Sequence, residues 1–221
     1  MTSTPVPVIT IDGPSGTGKG TLSSQLAEAL GFATLDSGSL YRALAWTVIR
    51  DKIDITKQDA LQRCINAAKI ELVNDRLMCD GDDITGQIRN PTISMMASKI
   101  SANTLVRKRL LQLQRDQAKL PGLVTDGRDM GTVVFPEAMI KIYLTASPEA
   151  CAKRRYKQLK AKGNDVNLRE IEEEMITRDR QDSERAESPL KPADDAITID
   201  TSDMGIQETF DKVLALIRSR L

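Results

Sequence analysis

The stretch Gly13-Pro14-Ser15-Gly16-Thr17-Gly18-Lys19-Gly20-Thr21 constrains this chain more than any other, because it joins the apolar run Val8-Ile9-Thr10-Ile11 to a helical pattern that begins near Lys19. Strand, glycine-rich turn, lysine and helix in that order make a cradle for a polyphosphate. The glycines let the backbone curl with its N–H groups inward, the helix N-terminus adds partial positive charge, and Lys19 reaches the outer phosphates. The pattern is G-x-x-x-x-G-K, with Gly20 where a Ser or Thr usually stands and Thr21 one place later. The hydroxyl that ordinarily reaches Mg2+ is thereby displaced, so the ion is expected to be held mainly through phosphates and water.

Beyond the loop, Leu22, Leu26, Ala29 and Leu30 fall at helical spacing and the helix stops at Gly31. Phe32 to Leu35 reads as a second short strand, and Ser37 or Ser39 as the cap of a helix through Trp46, Val48 and Ile49. Strand, loop, helix, strand, loop, helix predicts a parallel sheet covered by helices. Residues 51 to about 100 break this rhythm. Leu61, Ile65 and Ala68 mark a modest helix. Ile70–Val73 and Arg76–Cys79 flank a turn at Asn74-Asp75, and Asp80-Gly81-Asp82-Asp83 makes another, which together predict a small antiparallel β insert. Val106, Leu110, Leu111 and Leu113 then mark a helix ended by Pro121-Gly122. Strands follow at Leu123–Thr125, Met139–Leu144 and Ala196–Ile199. The last helix places Ile206, Phe210, Val213, Leu214, Ile217 and Leu221 on one core face.

Composition narrows the chemistry. The 221 residues, 40% hydrophobic, suit one α/β domain with an inserted subdomain. Thirty-one basic residues balance 31 acidic ones, so no global field draws nucleic acid or an anionic membrane, and any anion is met by locally gathered cations. Histidine is absent, which removes imidazole nucleophile activation, metal ligation and acid–base catalysis. Phosphoryl transfer survives that restriction, since it rests on positioning and on cations that neutralise spreading charge. Cys64, Cys79 and Cys151 are odd in number and lack a C-x-x-C, and are read as reduced filler thiols. No basic leader precedes Pro7 and no apolar run approaches the ~20 residues that span a bilayer, so a cytoplasmic protein is expected.

Two polar segments carry the remaining signal. The strand Leu123-Val124-Thr125 delivers Asp126-Gly127-Arg128-Asp129, and Asp126 stands where a Mg2+-organising carboxylate is expected, although Asp-Gly is also a common turn dipeptide. From Cys151 to Arg185, Lys153, Arg154, Arg155 and Lys157 sit on a helix and Lys162-Gly163-Asn164-Asp165 forms a hinge-like turn. Beyond it Arg178, Arg180 and Arg185 alternate with Asp179, Asp182 and Glu184. Most such charges are solvated pairs, but arginines beside a phosphate loop suit a closing segment that excludes water.

Taken together, Gly13–Thr21, Asp36–Arg42, Asp126–Thr132, Arg178–Arg185 and Ser188-Pro189-Leu190 resemble the bacterial cytidylate kinases over nearly the whole chain. The resemblance implies the P-loop kinase fold: a five-stranded parallel sheet covered by helices, with a small antiparallel β insert and a mobile lid. It implies one domain with a core at about 1–50, 102–150 and 187–221, a monophosphate-binding insert at about 51–101 and a lid at about 151–186. The implied activity is reversible transfer of the ATP γ-phosphoryl to CMP or dCMP. Lys19, Arg128, Arg178 and Arg185 are the implied catalytic residues. Gly13, Pro14, Ser15, Gly16, Thr17, Gly18, Lys19, Gly20 and Thr21, with Arg154 and Arg155 of the lid, are implied to bind ATP. Ser37, Tyr41, Arg42, Ser98, Arg107, Asp129, Arg178, Asp182 and Arg185 are implied to bind CMP. Mg2+ accompanies ATP without an assigned protein ligand, and a monomer with no nucleic-acid or membrane partner is expected. Ser39 stands where many relatives have Ala, and the insert's hairpin is short.

Two other readings fit parts of the chain. A different small-metabolite P-loop kinase, such as a shikimate or adenylate kinase, would share the loop. A GTP-dependent switch would carry N-K-x-D, and no Asn-Lys pair occurs here. Asp83-Ile84-Thr85-Gly86 follows a polar turn rather than a core strand.

Overall fold

A computed structural model describes residues 5–73 and 76–220. Contacts divide the chain into two compact units, Met1–Leu35 with Gln117–Leu221, and Asp36–Asp116.

The first unit is built on a five-stranded sheet. In chain order its strands are β1 (Val8–Asp12), β2 (Ala33–Asp36), β6 (Leu123–Gly127), β7 (Ile140–Thr145) and β8 (Ile197–Asp200), and their spatial order is β2-β6-β1-β7-β8. β1 lies at the centre and is buried along its whole length. It runs parallel to β6 with Val8 opposite Leu123, and to β7 with Ile9 opposite Ile140, while β8 joins β7 with Ile142 opposite Ile197. A strand covered on both faces reads as a continuous apolar run rather than an alternating one, which is what Val8-Ile9-Thr10-Ile11 shows. Helices α1 (Lys19–Leu30) and α8 (Ile206–Arg218) pack beside one another against this sheet. Leu22, Leu26 and Ala27 meet Ile9, Ile11, Val124, Val213 and Ile217 in one core. Leu26 is fully buried, and truncating such a leucine costs about 2–5 kcal/mol. Helices α6 (Pro148–Ala161) and α7 (Leu168–Glu184) form a packed pair between β7 and β8 in the chain.

The second unit contains α2 (Ser37–Arg50), α3 (Gln58–Ala67), the antiparallel strands β3 (Ile70–Val73), β4 (Arg76–Cys79) and β5 (Asp82–Asp83), and helices α4 (Pro91–Ile100) and α5 (Thr104–Arg115). Helix α2 is its spine, packing against α3, α4, α5 and β4.

Several local expectations change. Asp36, not Ser37 or Ser39, caps α2, accepting from the Ser39 N–H at 3.2 Å; a carboxylate competes well for this place because it adds a charge to the capping bond. On α1 the buried stripe runs through Ala27, and Ala29 is exposed. Asp82-Asp83 is a third short strand rather than turn. Helix α5 stops at Arg115, before Pro121-Gly122, because its apolar periodicity has already ended. Ile206 opens α8 at 64% exposure, outside the core formed by Val213 and Ile217. Helix α4 was not anticipated, although Asn90 caps it at 2.9 Å from the Ile93 N–H with Pro91 in its first turn. The Asn74-Asp75 turn and Leu221 lie outside the described residues. Cys64, Cys79 and Cys151 are buried free thiols, and burial raises the pKa of each.

Candidate active site

The phosphate loop follows directly from the end of β1. Gly13 adopts φ +146°, and a Cβ there would stand 2.1 Å from the Leu144 carbonyl oxygen of β7, so only glycine lets the chain leave the sheet at this point. At Gly16, φ +77°, a Cβ would meet Met175 Cε at 2.6 Å and Cys151 Cβ at 2.9 Å, so α6 and α7 rest against the loop. Thr17 Oγ1 donates to the Pro14 carbonyl at 3.0 Å and closes the turn. Gly18 caps α1 without any side-chain hydrogen bond, which leaves the helix's first N–H groups to an anion. Thr21 is exposed on the first turn of α1.

Lys19 opens α1 and folds its side chain back into this loop, only 6% exposed, with Nζ donating to the Pro14 carbonyl at 2.5 Å and to Thr17 Oγ1 at 3.4 Å. Burial, reinforced by the Arg128 guanidinium, brings its pKa down to about 7, against the pull of Asp126, Asp179 and Asp12. Asp12, at the end of β1, accepts from the Met130 N–H at 2.9 Å and the Gly131 N–H at 2.8 Å. Burial, with Asp129 adding to it, raises the Asp12 pKa to about 6, and the two N–H groups and Lys19 limit the rise. This clamp shapes the π-helical turn Met130–Val134 that follows Asp129. Asp129 is 3% exposed. Its carbonyl accepts from the Val133 and Val134 N–H groups, while its side chain makes no capping bond to the turn.

The arginines are organised by acids on α7. Asp182, itself buried, receives Arg128 Nε at 2.9 Å on one carboxylate oxygen and Arg185 Nη1 at 3.5 Å on the other. The other branch of Arg128 donates to Ser15 Oγ at 2.8 Å. Burial works against the Arg128 charge but is outweighed by Asp182 and Asp179, so its pKa sits above the ordinary value. Asp179 accepts the Ser15 N–H at 2.9 Å. Arg185 Nε donates to the Ser188 carbonyl at 2.6 Å, which ties it to the Ser188-Pro189-Leu190 segment. Arg178 is half-buried on α7 between Thr177 and Asp179. Arg154 turns the other way, reaching the Thr201 and Met204 carbonyls and Thr201 Oγ1 beside a recess also lined by Ser147, Lys153 and Ser202. Arg155 pairs with Gln158 on the exposed side of α6.

In the second unit, Ser37, Tyr41 and Arg42 lie on α2, Ser98 on α4 and Arg107 on α5. Arg42 Nη2 pairs with Asp36 at 2.5 Å, and its Nε is buried without a hydrogen-bond partner among the described residues. Arg107, 9% exposed, donates to the Ser101 carbonyl at 3.1 Å and lies 5.7 Å from the centre of the Tyr41 ring. Sequence reasoning missed Asp12, Asp179 and Thr201. The first repeats at β1 the strand-end carboxylate noticed at Asp126; the other two carried no local signal.

A strand-borne phosphate loop enclosing a lysine, with arginines held by one carboxylate on the neighbouring helix, is built for moving a phosphoryl group, and the class it defines is that of the P-loop kinases. The parallel-sheet fold recurs in solved structures. A Thermus thermophilus protein is 19% identical with a TM-score of 0.51 and 99% of each chain covered. An uncharacterized protein from Eubacterium ventriosum is 14% identical with a TM-score of 0.52, covering 97% of this chain and 99% of that one. At these identities the likeness shows the fold alone. Residues 9–219 match the cytidylate kinase family, and the chain belongs to it. Curated relatives include the cytidylate kinases of Stutzerimonas stutzeri, 48% identical over 98% of this chain and 97% of that protein, and of Shewanella denitrificans, 46% identical over 97% of each. The cytidylate kinase of Coxiella burnetii is 45% identical over 98% of this chain and 94% of its own. Among the described residues no helix is long and apolar enough to cross a membrane.

Proposed function

We propose that this protein catalyses reversible transfer of the γ-phosphoryl group of ATP to CMP or dCMP, giving ADP and CDP or dCDP, as a cytoplasmic monomer without nucleic-acid or membrane partners. The observation that carries the reading is the buried Lys19 inside a loop whose Gly13 and Gly16 leave no room for a side chain, on a chain that matches the cytidylate kinase family over residues 9–219. Gly13 to Thr21 hold the donor's phosphates. Lys19, Arg128, Arg178 and Arg185 meet the charge that spreads over the transferring group, and Asp182 positions two of those guanidinium groups. Arg154 and Arg155 belong to the lid, with the recess beside Arg154 assigned to the donor's nucleoside end. Ser37, Tyr41, Arg42, Ser98 and Arg107 bind CMP, together with Asp129, Arg178, Asp182 and Arg185. The acceptor is a phosphate oxygen, mostly ionised at neutral pH, so no general base is required and a chain without histidine suffices. Mg2+ supplies neutralisation of the donor's phosphate charge. Asp12 is committed to two backbone N–H groups and Gly20 offers no hydroxyl, which fits an ion that would be held by phosphates and water, with Asp126 of β6 as the carboxylate that would organise them.

A coupled ADP-release assay with CMP, dCMP, UMP and AMP tests the reading: turnover is expected with the two cytidine nucleotides, and an enzyme that prefers AMP or a non-nucleotide acceptor overturns it. Arg42 adds a second test. Its buried, partnerless Nε and its pairing with Asp36 describe a guanidinium held ready for a phosphate fork. Arg42→Ala is expected to weaken CMP by about ten-fold or more with ATP affinity unchanged, because charge-assisted hydrogen bonds are the strong ones. Calorimetric titration with each nucleotide reads this directly, and weakened ATP with intact CMP would mean donor and acceptor roles are exchanged.

A further inference from the structure

We infer that Asp179 is a built-in phosphate surrogate that occupies the phosphate loop until a ligand's phosphate displaces it. The inference rests on the loop binding phosphate, as proposed above. A loop of this kind works by turning backbone N–H groups inward, and the Ser15 N–H is already taken by Asp179 Oδ1 at 2.9 Å. The contact is not an isolated touch. Met175 is one helical turn before Asp179 and lies against Gly16; Asp182, three residues after it, reaches Ser15 Oγ through Arg128. The N–H and the hydroxyl of Ser15 are thus held from one face of α7, the N–H directly and the hydroxyl through a guanidinium.

The substitution is also electrostatic. Asp179 is among the carboxylates that pull Lys19 and Arg128 toward their charged forms, which is the work a phosphate does there. A carboxylate and a phosphate oxygen compete for the same donor with charge of the same sign, so an incoming anion must exceed what the tethered one provides. The apparent affinity of every phosphate ligand is reduced by the fraction of molecules in which Asp179 holds the loop.

The sign of the effect separates this role from a structural one. A strut that merely shapes the loop predicts weaker binding when removed, whereas a surrogate predicts tighter binding. Titration calorimetry on the full chain with ADP, pyrophosphate and orthophosphate, for wild type, Asp179→Asn and Asp179→Ala, is the experiment. Asp179→Ala is expected to bind pyrophosphate and ADP about ten-fold more tightly, with Asp179→Asn intermediate because its amide oxygen still accepts without charge. Orthophosphate should gain by a similar factor. Equal or weaker affinity in variants whose melting temperature is kept overturns the inference. Wild type that binds no ADP overturns the phosphate-loop reading instead. Should the variants fail to fold, hydrogen exchange of the wild type decides: pyrophosphate alone is expected to speed exchange in α7 around Met175–Asp182, and unchanged exchange there refutes the surrogate.

Discussion

Lys19→Ala is expected to lower kcat by about two to three orders of magnitude, the usual cost of removing one preorganised donor from a developing oxyanion. CMP affinity should stay within about two-fold of wild type, because the contact proposed for Lys19 is with the donor's phosphates and with the transition state. The buried position of Lys19 adds a proton to this prediction. Its pKa is held near 7, and phosphate oxygens brought against Nζ favour the ammonium form, so the pKa rises on binding. Above pH 7 the nucleotide must therefore bind with uptake of a proton, and ATP affinity falls as pH rises from 7 toward the bound-state pKa. Calorimetry in two buffers of different ionisation enthalpy measures that uptake, which should vanish in Lys19→Ala. A variant with wild-type kcat would remove Lys19 from the chemistry.

Asp129 carries the second large effect. Cytosine presents an exocyclic amine donor, a ring acceptor and a carbonyl; uracil replaces the amine with a carbonyl and the ring acceptor with an N–H. A reader of cytosine needs acceptors toward the amine, for which Asp129 and Ser98 are proposed, and a donor toward the ring nitrogen and carbonyl, for which Arg107 is proposed. Each buried group left unpaired costs about 1–3 kcal/mol, so UMP should be a poor substrate. Asp129→Ala is expected to reduce kcat/KM for CMP by about ten- to a hundred-fold and to leave that for UMP much less changed. The alternative, in which Asp129 only caps the turn after β6, predicts equal losses. The structure gives that turn to the Asp129 carbonyl rather than its side chain. Both kcat/KM values and a melting curve decide it: a folded variant with an unchanged CMP-to-UMP ratio would show that Asp129 does not read the base.

How far these residues could be read from the chain depends on how local their signals are. The phosphate loop, the strands around it and the insert's hairpin were visible because each lies within a dozen contiguous residues whose types answer one physical need. Asp12 and Asp179 were not, because their partners lie 118 and 164 residues away along the chain. A strand-end or helical aspartate has no feature of its own that announces such a partner. Helix α4 was within reach, since Asn90-Pro91 is a start signal, but no element was assigned to those residues within the insert. Ile206 shows the opposite error. Apolar periodicity tells which face of a helix is buried but not where the core beneath it stops.

The position of β1 has a consequence for how the protein comes off the ribosome. Its two neighbours in the sheet are β6 and β7, and the first of these begins at Leu123, 115 residues after Val8. At about 5–20 residues per second, synthesis leaves the first strand without a partner for roughly 6 to 23 seconds. Gly13 is shaped against the backbone of Leu144, so the loop also waits until roughly two thirds of the chain exists. The segment that passes through the tunnel meanwhile, Asp36–Asp116, is the other compact unit and contains its own contacts. Translation therefore delivers the unit Asp36–Asp116 before the surroundings of the phosphate loop exist, and the apolar strand β1 must be kept from other chains until β6, 115 residues later, has been made.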